Sequence, residues 1–317
     1  MKYAILGYSY SYGRKRLTQL VNLGDYVQSL AAKQFLPQVD EVIDREGLTG
    51  YGGKEPIKMI MNGWYHFWEG NAVPSKNIIP LFVALHISNP QEVRQETLDY
   101  LKQYSPIGCR DFSTLNFLKE KGVDAYFSGC LTLTLGNTYS VPDSQRTNNV
   151  YFVDFDKTDF VNWWKYKLFN KVVVPSNLRA RTYQIIQERF PDWQNFRFIY
   201  RSHMGLKRLI SEKKSFALAD KYLRDYARAK LVVTRRIHCA LPAAGMGTPS
   251  LLVMPNPKDS RFDELRELLN YVGVDTSGEF IEHLFLPENG QGLLNSPKIK
   301  EIAQSLSEKC VSFVKEF

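Results

Sequence analysis

The sequence is poor in cysteine. Its four residues of this type, Cys109, Cys130, Cys239 and Cys310, are too widely spaced for a CxxC pair or a Cys/His zinc cluster. Free thiols in a reducing compartment, and no metal site, are the expectation. Long apolar runs are also absent. The longest, Ile78 to Leu85, contains Pro80 and stops at His86, far short of the roughly 20 residues that cross a bilayer. The opening Met1-Lys2-Tyr3-Ala4-Ile5-Leu6-Gly7 runs into Tyr8, Ser9, Tyr10 and Ser11, too polar for a secretion leader, so a cytoplasmic location is expected. A dense basic stripe interleaved with aromatics is lacking too. Only Arg14-Lys15-Arg16 and Trp163-Trp164-Lys165-Tyr166-Lys167 come near one, and they read as a solvated loop and a helix with its aromatic side inward. Nucleic acid is therefore not an expected partner. The second stretch has the composition of a membrane-surface contact as a weaker reading.

What is present is an ordinary globular balance, 44% hydrophobic and 23% charged, so the chain should bury a core unaided. Its 317 residues exceed the roughly 150 typical of one core, which favours two domains. A formal charge of +8 attracts anions without choosing among nucleic acid, lipid headgroups and acidic substrates.

Short apolar runs alternate with helical periodicity, the pattern of βαβ units around a mostly parallel sheet. The first series places strands at Tyr3 to Leu6, Val39 to Ile43, Lys58 to Met61, Leu81 to His86, Ile107 to Cys109 and Ala125 to Phe127. A helix runs from Gly24 to Phe35, and Asp111 is positioned to cap another that carries Phe112, Leu115 and Leu118. Gly136 to Asn149 is polar, rich in turn formers, with almost nothing to bury, and marks the boundary between domains at 1–140 and 150–317. The second series has strands at Val150 to Asp154, Lys171 to Val174, Phe196 to Tyr200, Leu231 to Thr234 and Ser250 to Met254, with helices at Ala219 to Ala229 and His238 to Gly245.

Chemistry concentrates in Thr234-Arg235-Arg236-Ile237-His238, at the carboxyl end of a strand where a helix opens. Ligands of open α/β sheets bind at that edge. Unpaired N–H groups at the helix start and guanidinium groups favour a carboxylate or phosphate, and the histidine can move a proton near neutral pH. The alternative is that both arginines pair with carboxylates at a domain interface and His238 merely caps the helix. Arg201-Ser202-His203 brings a second basic pair to the same edge. In the first domain Asn22, Gly24, Asp25 and Gln28 gather hydrogen-bonding groups at a helix start, where Asp25 could be only a cap. Asn62-Gly63-Trp64-Tyr65-His66 combines an aromatic platform with polar groups, which suits a sugar or a packed loop. Cys130, in Ser128-Gly129-Cys130, has no evident base beside it and is not expected to be a nucleophile.

Taken together, Asn22, Gly24, Asp25 and Gln28, Asn62-Gly63-Trp64, Gly108-Cys109-Arg110-Asp111 with Thr114, Arg236-Ile237-His238 and Gly247-Thr248-Pro249 resemble, in order and spacing, the polysaccharide pyruvyl transferase family. The resemblance spans nearly the whole chain. It implies an α/β fold similar to that of GT-B glycosyltransferases, with two Rossmann-like domains facing a cleft. It also implies transfer of pyruvate from phosphoenolpyruvate, a co-substrate rather than a cofactor, onto a hexose such as galactose as a cyclic ketal. The product would be a bacterial-type surface polysaccharide, exopolysaccharide or capsule, or its precursor. On this reading His238, His203 and Asp25 are catalytic, and Arg236, Arg235, Arg201 and Arg110 hold the donor. Asn62, Trp64, His66, Asn22 and Gln28 face the acceptor. A lipid-linked acceptor, with peripheral contact at the inner membrane face, would account for the positive charge. One departure from the family pattern is Ser128-Gly129-Cys130, where many members carry Asp-Pro. The other readings are a GT-B-type glycosyltransferase using a nucleotide sugar, and a non-catalytic carbohydrate-binding subunit.

Overall fold

In the computed structural model, which describes residues 1–10, 20–65, 73–155, 174–206, 210–255 and 263–316, two six-stranded sheets carry the chain. The first series is β1 (Lys2–Gly7), β2 (Leu20–Asn22), α1 (Leu23–Lys33), β3 (Glu41–Asp44), β4 (Ile57–Trp64), β5 (Ile78–His86), α2 (Gln95–Gln103), β6 (Ile107–Cys109), α3 (Phe112–Glu120) and β7 (Ala125–Phe127). The second is β8 (Asn149–Val153), α4 (Ser176–Arg189), β9 (Arg197–Arg201), β10 (Met204–Leu206), α5 (Glu212–Ala227), β11 (Leu231–Thr234), α6 (Ile237–Gly245), β12 (Ser250–Met254), β13 (Asn270–Val274), β14 (Phe280–His283) and α7 (Lys298–Lys315).

The sheets are wound alike. The orders are β3-β1-β4-β5-β6-β7 and β14-β13-β12-β11-β8-β9, parallel except for the antiparallel edge strand β14. In each, the strand order reverses beside the first strand, between β1 and β4 and between β8 and β11, which creates a crevice at the carboxyl edge. The central strands β4, β11 and β12 are buried almost throughout, as parallel strands covered on both faces must be. The molecule is thus α/β, two Rossmann-like units in a GT-B-like arrangement. Asp111 caps α3, accepting from Thr114 N–H at 2.9 Å, as the sequence predicts.

The units are not joined by a solvated linker. Tyr139 is buried and donates its hydroxyl to Asp220 of α5 at 2.7 Å, and Arg146 bonds Thr248 Oγ1 at 2.7 Å and the Ala227 carbonyl at 3.1 Å. Gly136 and Gly245 lie so close that a side chain on Gly136 would overlap the Gly245 carbonyl, and one on Gly245 the Leu133 carbonyl. One core cluster runs across the junction, from Tyr26 and Leu131 to Tyr151, Ala219, Tyr226 and Cys239, with Tyr26 edge-on to Phe216 at 4.8 Å. Sequence polarity in 136–149 concealed these contacts because one tyrosine and one arginine make most of them.

Helix α7, which follows the second sheet in sequence, returns to the first. Lys58, 4% exposed on β4, donates Nζ to the Phe313 carbonyl at 2.7 Å and to the Glu316 carbonyl, with the Phe313 ring 5.0 Å away. A buried ammonium at a helix carboxyl end meets both the orphan carbonyls and the negative end of the dipole.

Candidate functional site

The carboxyl edges of both sheets converge where α1 and α6 begin. On the second sheet the chain leaves β8 at Asp154 with φ +53°, a left-handed backbone that aspartate tolerates better than most residues. The turn directs its carboxylate across the crevice to β11, where it accepts from Arg236 Nε at 2.7 Å, and it also takes the Ser202 hydroxyl and the His203 N–H. Burial alone would raise this carboxyl, but Arg236, Ser202 and the nearby His203 outweigh it and hold Asp154 at about 2. The Arg236 side chain remains 35% exposed against 4% for Asp154, so one edge of the guanidinium is anchored and the other faces outward. Arg236 is also the N-cap of α6. No side chain caps that helix, and His238 departs from helical geometry at φ −81°, ψ 23°. The first-turn N–H groups and the outer guanidinium edge therefore lie together, an arrangement suited to an anion.

On the first sheet Asn22 caps α1, accepting from Gly24 N–H at 3.1 Å. Asp25, in the first turn, takes the Tyr10 hydroxyl at 2.9 Å and Asn22 Nδ2 at 3.2 Å. Burial raises its pKa in spite of the opposing pull of Arg45, Tyr10, Arg236 and Arg110. The Arg45 guanidinium lies over the rings of Trp64 at 5.0 Å and Tyr8 at 5.2 Å, and it donates to the Trp64 carbonyl and pairs with Glu46. Asn62 donates to the Gln28 carbonyl at 3.0 Å, while its Oδ1 has no hydrogen-bond partner among the described residues. Gly63, at φ +109°, admits the Gln28 side chain where a Cβ would stand 2.7 Å from Gln28 Oε1.

The two edges touch directly. Leu23 N–H donates to the His203 carbonyl at 2.8 Å, and β2 pairs antiparallel with β10. A Cβ on Gly24 would stand 3.1 Å from His238 Cβ and 3.4 Å from its Nδ1, so only glycine brings α1 this close to α6 without a shift. From β6, buried Arg110 reaches across to His238, Nη1 to Nε2 at 3.4 Å.

Asp25, Arg110, Arg236 and His238 are thus brought to one junction, with Asn22 beside them. Asn62 and Gln28 are buried behind Trp64, which is half-buried, as is Arg235. His66 lies outside the described residues, as do Arg14 to Arg16, Trp163 to Lys167 and most of the strand expected at Lys171 to Val174. Arg201 ends β9 with its guanidinium between Tyr151 at 4.1 Å and Tyr222 at 4.3 Å, bonded to Asp225 at 2.9 Å. His203 is 1% exposed, bonds the Tyr226 hydroxyl through Nε2 at 3.0 Å, and is pushed by burial down to about 4, so it is neutral at pH 7. Cys130 is sealed, and burial pushes its thiol up. Ser128, at the departure from the family pattern, has a local task. Strand β5 carries an extra residue relative to β4, and the bulged Ala84 donates its N–H to Ser128 Oγ at 3.0 Å. Sequence reasoning left Asp154 as a strand end and passed over Tyr10, Arg45 and His86. The signal for Asp154 was its place: it ends the strand beside the one that ends at Thr234.

Among the described residues no cluster of three or more His, Cys, Asp or Glu is arranged to hold a metal, and no helix is long and apolar enough to cross a membrane. Across residues 22–257 the chain matches the family model described as polysaccharide pyruvyl transferase, an interval that begins at the Asn22 cap of α1 and takes in β4 to β12, including the start of α6. No curated protein matches it.

Proposed function

Because the chain belongs to the polysaccharide pyruvyl transferase family, we propose that the junction of α1 and α6 binds phosphoenolpyruvate and transfers its pyruvyl group to two hydroxyls of a hexose, such as galactose, in a surface polysaccharide or its lipid-linked precursor. The observation that carries this reading is the anchored Arg236: Asp154 fixes Nε, and the outer edge stands at the uncapped start of α6. A doubly anionic donor with a carboxylate and a phosphate matches that arrangement, with Arg110 and Arg235 as further cations. His238 stands at the same helix start as a donor to the departing phosphate.

In the proposed sequence Asp25, whose carboxyl is favoured in its protonated form by burial, delivers a proton to the donor methylene. The adjacent carbon becomes oxocarbenium-like and takes the first sugar hydroxyl with loss of that hydroxyl's proton. Breaking the carbon–oxygen bond to phosphate releases inorganic phosphate and the second hydroxyl closes the ketal, the two hydroxyl protons passing to the Asp25 carboxylate and to the departing phosphate. Half-buried Trp64 and Asn22 are the groups left to face the acceptor, while Asn62 and Gln28, both buried, brace the strand behind Trp64. Arg201 and His203 support Asp154 and β9 from behind. A lipid-linked acceptor fits a protein of charge +8, drawn to an anionic membrane surface.

The test is phosphate release from phosphoenolpyruvate in the presence of hexosides. Release that requires both components is expected, and it falls by about 100-fold or more in Asp25→Asn, the loss typical of a missing general acid. Turnover of a nucleotide sugar without phosphoenolpyruvate consumption would instead assign a glycosyltransferase.

A further inference from the structure

Behind Arg110 lies a buried polar chain that the reaction above does not use. His86 ends β5 and Asp111 follows β6, 5% and 1% exposed. His86 Nδ1 is 2.7 Å from Asp111 Oδ2, and its Nε2 is 3.1 Å from the exposed Ser88 hydroxyl. Asp111 Oδ2 also stands 3.9 Å from Arg110 Nε, and Oδ1 takes the Thr114 N–H. Burial would raise the Asp111 carboxyl, but His86, the Thr114 N–H and Arg110 together hold it below the usual range. A carboxylate so fixed attracts the inner edge of the Arg110 guanidinium as an ion pair at 3.9 Å, longer than a hydrogen bond, and the outer edge reaches His238 Nε2 at 3.4 Å. Arginine has donors and no lone pair to offer, so the imidazole nitrogen in this contact must be the acceptor. The other ring nitrogen then carries the proton, because the hydrogen bond at one nitrogen decides the state of its partner.

We propose that the first unit sets the protonation geometry of the second: His86 and Asp111 are positioning residues that orient Arg110, and Arg110 holds His238 as the neutral Nδ1–H tautomer. His238 so held donates a hydrogen bond and is not a general base, since its one lone pair is occupied. This deepens the assignment of the donor site and rests on it for the functional consequence, whereas the tautomer itself is a property of the free protein.

The experiment is two-bond ¹⁵N–¹H correlation spectroscopy of the full chain labelled at its five histidines, near pH 7.5 and without ligand, with the His238 signals identified by their loss in His238→Gln. A single Nδ1–H pattern for His238 is expected in the wild type. It is expected to give way to the Nε2–H pattern or a mixture in Arg110→Met, and to mix partly in Asp111→Asn. An Nε2–H or doubly protonated His238 in the wild type overturns the proposal even if the variants fail to fold, as does an unchanged pattern in a folded Arg110→Met. Phosphoenolpyruvate binding, measured separately by calorimetry, reports on the donor-site reading whichever tautomer is found.

Discussion

At the scale of single residues, burial sets the protonation of His203 and ionic and hydrogen-bond partners, against burial, set that of Asp154, which has a consequence for acid stability. His203 has a folded pKa of about 4, below its ordinary 6.5, so the unfolded chain binds the proton first and stability declines as pH falls from 6.5 toward 4. Asp154, at about 2 against 3.8, contributes about 2 kcal/mol that is present above pH 4 and lost between there and pH 2. Denaturant melts across pH should therefore show two acid limbs. His203→Gln is expected to flatten the upper one. Asp154→Asn is expected to lose about 2 kcal/mol at pH 7 and flatten the lower one. A wild-type profile flat from pH 6.5 to 4 would contradict the burial of a neutral His203. The place of Arg236 and His238, at the carboxyl end of an apolar strand where a helix opens, was legible in the sequence, whereas the carboxylate that pairs with Arg236, Asp154, was not. Arg45 was not, since Asp44-Arg45-Glu46 has the composition of a solvated turn. Only the fold shows its guanidinium lying over the Tyr8 and Trp64 rings.

At the scale of elements, strands were easier to read than helices. The buried runs of β11 and β12 announce themselves, as does the cap on α3. Helix α4 escaped notice because its apolar residues are diluted by arginine and glutamine, with only Leu178, Thr182, Ile185 and Ile186 buried. Helix α7 carries a clear apolar stripe, but nothing in its sequence says that it packs on the first sheet. The deciding group is Lys58, which reads as an ordinary strand-edge lysine until its two carbonyl partners are seen. Lys58→Met keeps the stem and removes the charge-assisted bonds, and should cost about 2–3 kcal/mol. Hydrogen exchange in 298–315 should quicken more than in β4, where equal changes would show that Lys58 acts on the sheet and not on the helix.

At the scale of the whole molecule, two similarly wound sheets bring two helix starts together, and each unit contributes residues to the candidate site. The sequence implied two units but not how closely they are packed, because that depends on backbone contacts at Gly24, Gly136 and Gly245, which composition does not reveal. Packing without room for a side chain explains why α1 can lie against His238 and why Arg110, from the first unit, reaches a residue of the second. The site is therefore an attribute of the junction. Its central claim is that Arg236 holds phosphoenolpyruvate there. The most direct test is the thermal stability of wild type and Arg236→Ala with and without phosphoenolpyruvate, at concentrations up to about 100 times the dissociation constant. A ligand that binds only the folded protein then adds about 2.7 kcal/mol. The account predicts that gain in the wild type and its loss in Arg236→Ala. An equal gain in both proteins, or stabilisation of the wild type by a nucleotide sugar and not by phosphoenolpyruvate, would contradict it.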